Sequence, residues 1–338
     1  MNHPQRILVI GLSNVGDGVL MSPVIARLSR AFPQAMLTLL VGERARALFR
    51  DDPRVAELMT LDGFAGWSGR LRLVGLLWRL RPGLLIDLRH TALPLLWRPW
   101  RAWRYLWPVP KRLHMRERHL WRLKIQGNFG FRISDFGLDN PQSTIHNPQF
   151  LKSPALWISP DDQRHVAALA SRWGLAEGKP LVIICPGARS HTKRWYTDRF
   201  AAVADRLIEE AGAEVVFTGE PDESEVIRDV MAGMRHRARN AAGCTTIRQL
   251  GALMQRARLA ITNDSASLHV AGAVGTPVLA LFGPTDPRKY GPDGPRDRVI
   301  QRKLFCVPCE QSLCRYAHEC MRFLQTDEVV TAAKAMLG

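Results

Sequence analysis

The chain has 338 residues, 46% of them hydrophobic, and a formal net charge of +16. That length and apolar content suggest two domains of ordinary size, each with its own core. No stretch approaches the ~20 uninterrupted apolar residues of a spanning helix. The apolar run 7–10 is too short for a secretory leader, so a cytoplasmic protein is expected. The basic balance favours anionic partners: phosphorylated small molecules, anionic lipid or nucleic acid.

In chain order, residues 6–10 read as a strand. They run into "VIGLSNVGDGVLMSP" (9–23), where Gly11 and Gly16 resemble a dinucleotide loop but Ser13 replaces a glycine and Asp17 adds negative charge. A helix is expected over 19–32. Pro23 either kinks it after one turn or marks its start, with Ser22 as N-cap. Residues 36–41 form a second strand ended by Gly42, a helix begins at Arg44, and "LLIDL" (84–88) is a further buried strand. The alternation predicts a parallel sheet with helices on both faces.

Between Arg70 and Lys124 lie 14 Lys and Arg against only Asp87 and Glu117, and seven of the ten tryptophans fall within 67–124. Residues 125–160, rich in Gly, Pro, Asn and Ser, read as loops and a linker. "SPDDQRHVAALASRWGL" then gives a helix with Ser159 and two acids at its start. A second alternation follows, with strands at 180–187, 214–220, 258–264 and 276–285. These features predict two doubly wound domains with ligands at the C-terminal ends of the strands.

Strand-end loops carry the chemistry. "CPGARSHTKRW" (185–195) supplies Arg189, Lys193 and Arg194 after Gly187. "TGEPDESE" (218–225) is acidic. In "ITNDSASLHVAGAVGTPVLALFGPTDP" (261–287), Asn263 or Asp264 is expected to cap the next helix, and the small residues Ser265, Ala266 and Ser267 leave backbone N–H groups open to an anion. With Lys193 for phosphate and an acid of the 218–225 loop for ribose hydroxyls, these loops describe a nucleoside-diphosphate site in the second domain.

Three of these stretches, "GDGVLMSPVIARL", "PGARSHTKRWYTDRF" and "NDSASLHVAGAVGTPVLALFGPTDP", resemble in order and spacing the signatures of glycosyltransferase family 9, the bacterial lipopolysaccharide heptosyltransferases. The resemblance spans nearly the whole chain. It implies an α/β GT-B fold: two Rossmann-like doubly wound parallel-sheet domains facing across a cleft. The implied domains are an acceptor domain at 1–155 and a nucleotide-sugar domain at 156–322. A C-terminal helix at 323–338 would pack back on the first. The implied reaction is metal-independent, inverting transfer of heptose from ADP-heptose to a lipopolysaccharide core acceptor, with no cofactor.

Carried over by position, Asp17 is the general base and Lys193 meets the donor phosphates. The donor-side candidates are Gly187, Arg189, Lys193, Glu220, Asp222, Glu223, Asp264, Ser265, Ala266 and His269. The family often has Gly where Ala266 stands, and Ala still leaves the N–H open. The acceptor-side candidates are Ser13, Asn14, Gly16 and Arg89. The expected partners are a nucleotide sugar and an anionic glycolipid. The basic, Trp-rich segment 67–124 would hold a monomer at the inner face of the inner membrane. No nucleic-acid-binding motif is present. Cys306, Cys309, Cys314 and Cys320 read as reduced structural thiols, with zinc as the alternative. Rival functions are a relative using another nucleotide sugar, a non-catalytic sugar- or lipid-binding protein, and a nicotinamide-dependent oxidoreductase using Gly11, Gly16 and Glu43. The last is disfavoured by Ser13 and Asp17.

Overall fold

The computed structural model describes residues 4–89, 91, 93–97, 109–110, 113–127, 155–175 and 178–338. The chain divides into two units, Met1–Trp157 and Ile158–Gly338. Most of the 125–160 stretch, with Trp100, Trp103 and Trp107, lies outside the described residues.

The first unit is built on a parallel sheet of β1 (Arg6–Ile10), β2 (Met36–Val41), β3 (Glu57–Thr60) and β4 (Leu84–Asp87), in the order β3-β2-β1-β4. Strand β1 sits inside the sheet, with Ile10 opposite Leu40 and Asp87. Side chains alternate between the faces. Leu8 and Ile10 join Leu40, Leu85 and Leu73, Leu76 and Leu77 of α3 (Gly66–Leu80) in one core. Helices α1 (Val15–Ala31) and α5 (Met115–Gly127) pack together, and α5 also packs on β4. Two shorter helices, α2 (Glu43–Phe49) and α4 (Leu93–Trp97), complete the described part of the unit.

Helix α1 starts four residues earlier than the sequence predicts and continues through Pro23. Pro23 therefore does not mark the helix start, and Ser22 is not its N-cap. Proline has no N–H for the carbonyl four residues back, here that of Val19. The Ser22 hydroxyl donates to that carbonyl instead, at 2.7 Å. Ser22 therefore repairs the helix interior rather than capping a start.

The second unit carries six parallel strands: β5 (Leu181–Cys185), β6 (Glu214–Phe217), β7 (Arg239–Asn240), β8 (Leu259–Asn263), β9 (Val278–Phe282) and β10 (Arg298–Gln301). Their order is β10-β9-β8-β5-β6-β7. The crossover helices are α7 (Thr197–Ala211), α8 (Ser224–Ala232), α9 (Ile247–Gln255) and α10 (Ala266–Val274). The unit opens with α6 (Pro160–Trp173), whose Ser159 cap closes a reciprocal capping box with Asp162. Asp162 also pairs with Arg248 of α9 at 3.3 Å. The chain ends in α11 (Pro287–Tyr290), α12 (Glu319–Arg322) and α13 (Thr326–Leu337).

The last helix belongs to the second unit. Val329, Val330 and Ala333 of α13 are buried with Phe200, Val203 and Leu207 of α7 in the second unit's core. Lys334 and Asp327 add ion pairs to Glu210 and Arg206. The apolar face of this helix is thus buried within the second unit.

His119 of α5 is 1% exposed, and neither ring nitrogen has a hydrogen-bond partner. Burial, then the neighbouring Arg122, Arg118 and His114, hold its pKa down from 6.5 to about 3. A base whose folded pKa is depressed lends stability above its unfolded pKa and loses it as pH falls toward the folded one. The wild type is therefore expected to lose stability as pH falls from 6.5 to about 3. His119→Met should flatten that slope in urea titrations at stepped pH. An unchanged slope refutes the assignment.

Candidate active site

Both sheets wind outward from an inner strand, and such a reversal opens a crevice at the strands' C-terminal ends. In the second unit the reversal lies between β5 and β8, which pair with Cys185 opposite Thr262. The Lys193 loop leaves β5 and the Asp264 turn leaves β8, so they emerge side by side.

The sequence casts Asn263 or Asp264 as a helix cap, and the structure corrects this. Asn263 is fully buried and turns away from α10. Its Oδ1 accepts the Trp195 N–H at 3.2 Å, and its Nδ2 donates to the Pro186 carbonyl at 2.7 Å. It stitches the Gly187 loop to β8. Asp264, 5% exposed, receives Lys193 Nζ at 2.7 Å and the Thr285 hydroxyl at 2.6 Å on the same Oδ2. Ser265 occupies the N-cap of α10 without a side-chain cap bond. The N-terminal end of α10, with Ala266 as its first residue, therefore stands beside an anchored ammonium. An ammonium has three N–H donors, and Asp264 takes one. This is an arrangement suited to a diphosphate.

Thr285, in the loop after β9, carried no signal of its own, because its partner is 21 residues away in sequence. Arg194 donates to the Ala188 carbonyl at 2.7 Å and closes the Gly187 loop. Arg189 is exposed and His269 of α10 half-buried. Among the acids after β6, Glu220 and Asp222 are exposed, while Glu223 is turned inward. A side-chain carbon on Gly187 would meet the Glu223 carboxyl carbon at 2.2 Å, and one on Gly219 would meet its Oε2 at 2.7 Å. Both glycines are therefore required for that close approach. Burial raises the Glu223 pKa, opposed by the Glu220 backbone N–H, and nearby Glu220 and Asp222 raise it further.

The cysteine-rich segment supports these loops. His318 Nε2 donates to the Thr192 carbonyl at 2.6 Å, and the Thr192 hydroxyl donates to the Gln311 carbonyl at 3.2 Å. The Cys309 and Glu310 N–H groups both donate to the Pro284 carbonyl at 2.9 Å. Among the described residues no three His, Cys, Asp or Glu side chains come together as a metal site. Cys314 is an exposed free thiol accepting the Tyr316 and His318 N–H groups, and Cys320 is buried in the core.

In the first unit the reversal lies between β1 and β4, and the acceptor-side candidates gather there. Asp87, buried at the end of β4, accepts the Arg89 N–H at 2.9 Å and the Thr91 N–H at 2.6 Å. This sets the turn from which Arg89 Nη1 donates to Ser13 Oγ at 2.9 Å. Asn14, the N-cap of α1, donates from Nδ2 to Asp17 Oδ2 at 3.1 Å. Gly16 and Asp17 form the first turn of α1, with Asp17 half-exposed. Packing requires glycine at position 11: a side-chain carbon there would lie 2.7 Å from Val41 Cγ1.

Asp264→Asn should weaken ADP binding roughly tenfold or more by calorimetry, because a charge-assisted anchor for Lys193 is lost. His318→Ala should weaken it by up to about tenfold, the worth of one hydrogen bond, although His318 lies behind the loop. Wild-type affinity in either variant sinks the corresponding role.

Residues 135–319 match the family model for glycosyltransferase family 9 (heptosyltransferase). Lipopolysaccharide heptosyltransferase 2 of Escherichia coli K12 is 28% identical over 88% of both chains. A glycosyltransferase family 9 crystal structure from Veillonella parvula superposes over 100% of this chain and 98% of its own, with TM-score 0.80 and 22% identity. The structure of E. coli ADP-heptose lps heptosyltransferase II covers 98% of each chain with TM-score 0.65 and 23% identity. The chain therefore belongs to glycosyltransferase family 9, the heptosyltransferase family, and is a glycosyltransferase of GT-B fold.

Proposed function

We propose that the chain transfers heptose from ADP-heptose to a sugar hydroxyl of the lipopolysaccharide core, with inversion, at the cytoplasmic face of the membrane. The observation that carries this reading is the Lys193–Asp264–Thr285 cluster at the N-terminus of α10, a seat for a leaving diphosphate. The donor named in the E. coli structure and the acceptor named in the K12 relative are consistent with it.

A sugar hydroxyl is a weak nucleophile until its proton is removed. In the proposed reaction the Asp17 carboxylate takes that proton. The acceptor oxygen forms its bond to the anomeric carbon as the carbon–oxygen bond to diphosphate breaks, and the electron pair leaves with ADP. The additional negative charge that develops on the terminal phosphate of that leaving group is met by Lys193 and the α10 N–H groups, so no cofactor enters the scheme. In this reading the exposed Glu220 and Asp222 hold the ribose hydroxyls, with the more buried Glu223 as support. Arg189, His269 and Ser265 complete the donor side. Ser13, Asn14, Gly16 and Arg89 line the acceptor side, where Arg89 offers charge to an anionic core.

Asp17→Ala should lower transfer by about a hundredfold or more, the usual worth of a general base, with ADP-heptose binding by calorimetry unchanged. Turnover within a few-fold of wild type would reduce Asp17 to a partner of Asn14. Loss of donor binding as well would place it on the donor side.

A further inference from the structure

We propose that the outer face of α3 is a docking surface for an anionic lipid bilayer. This goes beyond the transfer reaction and does not depend on the sugar. The inner face of α3 (Leu73, Leu76, Leu77) is buried in the first unit's core. The outer face carries Trp67, Leu71 and Trp78, which are 81%, 70% and 60% exposed. At 3.6 residues per turn these positions form one stripe along the helix. Half-buried Val74 lies on the same line, and Trp78 meets Trp97 edge-on at 5.6 Å.

Arginines border the stripe. Arg70 flanks it on one side, its guanidinium 5.7 Å from the Trp67 ring centre. Arg72 and Arg79 flank it on the other, both exposed. From Gly63 to Ile86 there are four arginines and no acid. The preceding acid, Asp62, is engaged by the Glu43 backbone N–H at 2.8 Å. Large apolar groups with a cationic rim on a helix otherwise anchored in a core are the chemistry of an interfacial helix. Indole rings favour the headgroup level, and each cation near an anionic surface is worth about fivefold in affinity. A second copy of this face would bring like charges together, so self-association is disfavoured. None of the helices among the described residues is long and apolar enough to cross a membrane, so attachment here lies flat on the surface.

The test is co-sedimentation of the full chain with phosphatidylcholine vesicles, with and without phosphatidylglycerol. Trp67→Ser/Leu71→Ser and Arg70→Glu/Arg79→Glu are compared with wild type, and thermal melting confirms that each variant is folded. Wild type should sediment with the anionic vesicles and far less with neutral ones. Each variant should lose about tenfold or more in partitioning, and added salt should erase the arginine effect. Wild-type sedimentation by the serine variant overturns the proposal, as does equal binding to neutral vesicles. So does concentration-dependent dimerisation that the serine variant abolishes.

Discussion

The donor half rests on parallel pairing of β5 with β8. Their chain positions are far apart, yet the pairing sets Cys185 against Thr262 and delivers Lys193 and Asp264 from adjacent strand ends. A buried carboxylate is costly unless paired. Asp264 meets that requirement with one ammonium and one hydroxyl on the same oxygen. The pair therefore fixes two loops and the start of α10 together. Asn263, facing the other way, fixes the Gly187 loop to the same strand. Two neighbouring residues of one turn thus organise the β5, β8 and β9 loops.

The first unit repeats the layout with opposite charge at the loop. Its reversal between β1 and β4 gathers Ser13, Asp17 and Arg89, and buried Asp87 plays the organising part. A helix N-terminus favours a carboxylate in its first turn through the helix dipole, and Asp17 stands there in α1. That resolves the oddity of an acid in a glycine-rich turn.

Much of this was legible in the chain. Apolar runs such as 181–185 and 278–282 announce buried parallel strands, and turn residues mark where each loop leaves. The Ser159 start of α6 and the existence of a C-terminal helix are local patterns and emerged as read. What escaped is what depends on distant partners. A carboxylate before a helix looks like a cap until a second strand brings a lysine to it. Thr285 has no local signature. The course of α1 through Pro23 depends on one hydroxyl answering one orphaned carbonyl. The packing of α13 on α7 was not legible, because an amphipathic helix declares which face is apolar but not what it covers.

The support behind the donor loops sets a limit on modularity. Residues 309–318 hold the Thr192 and Pro284 carbonyls from outside the donor-facing surface. Helix α13 then closes the core beneath them. Grafting the Lys193 and Asp264 loops onto another scaffold would leave behind the splint that keeps them in register. The smallest transplantable donor module therefore includes the cysteine-rich segment and the α13 helix.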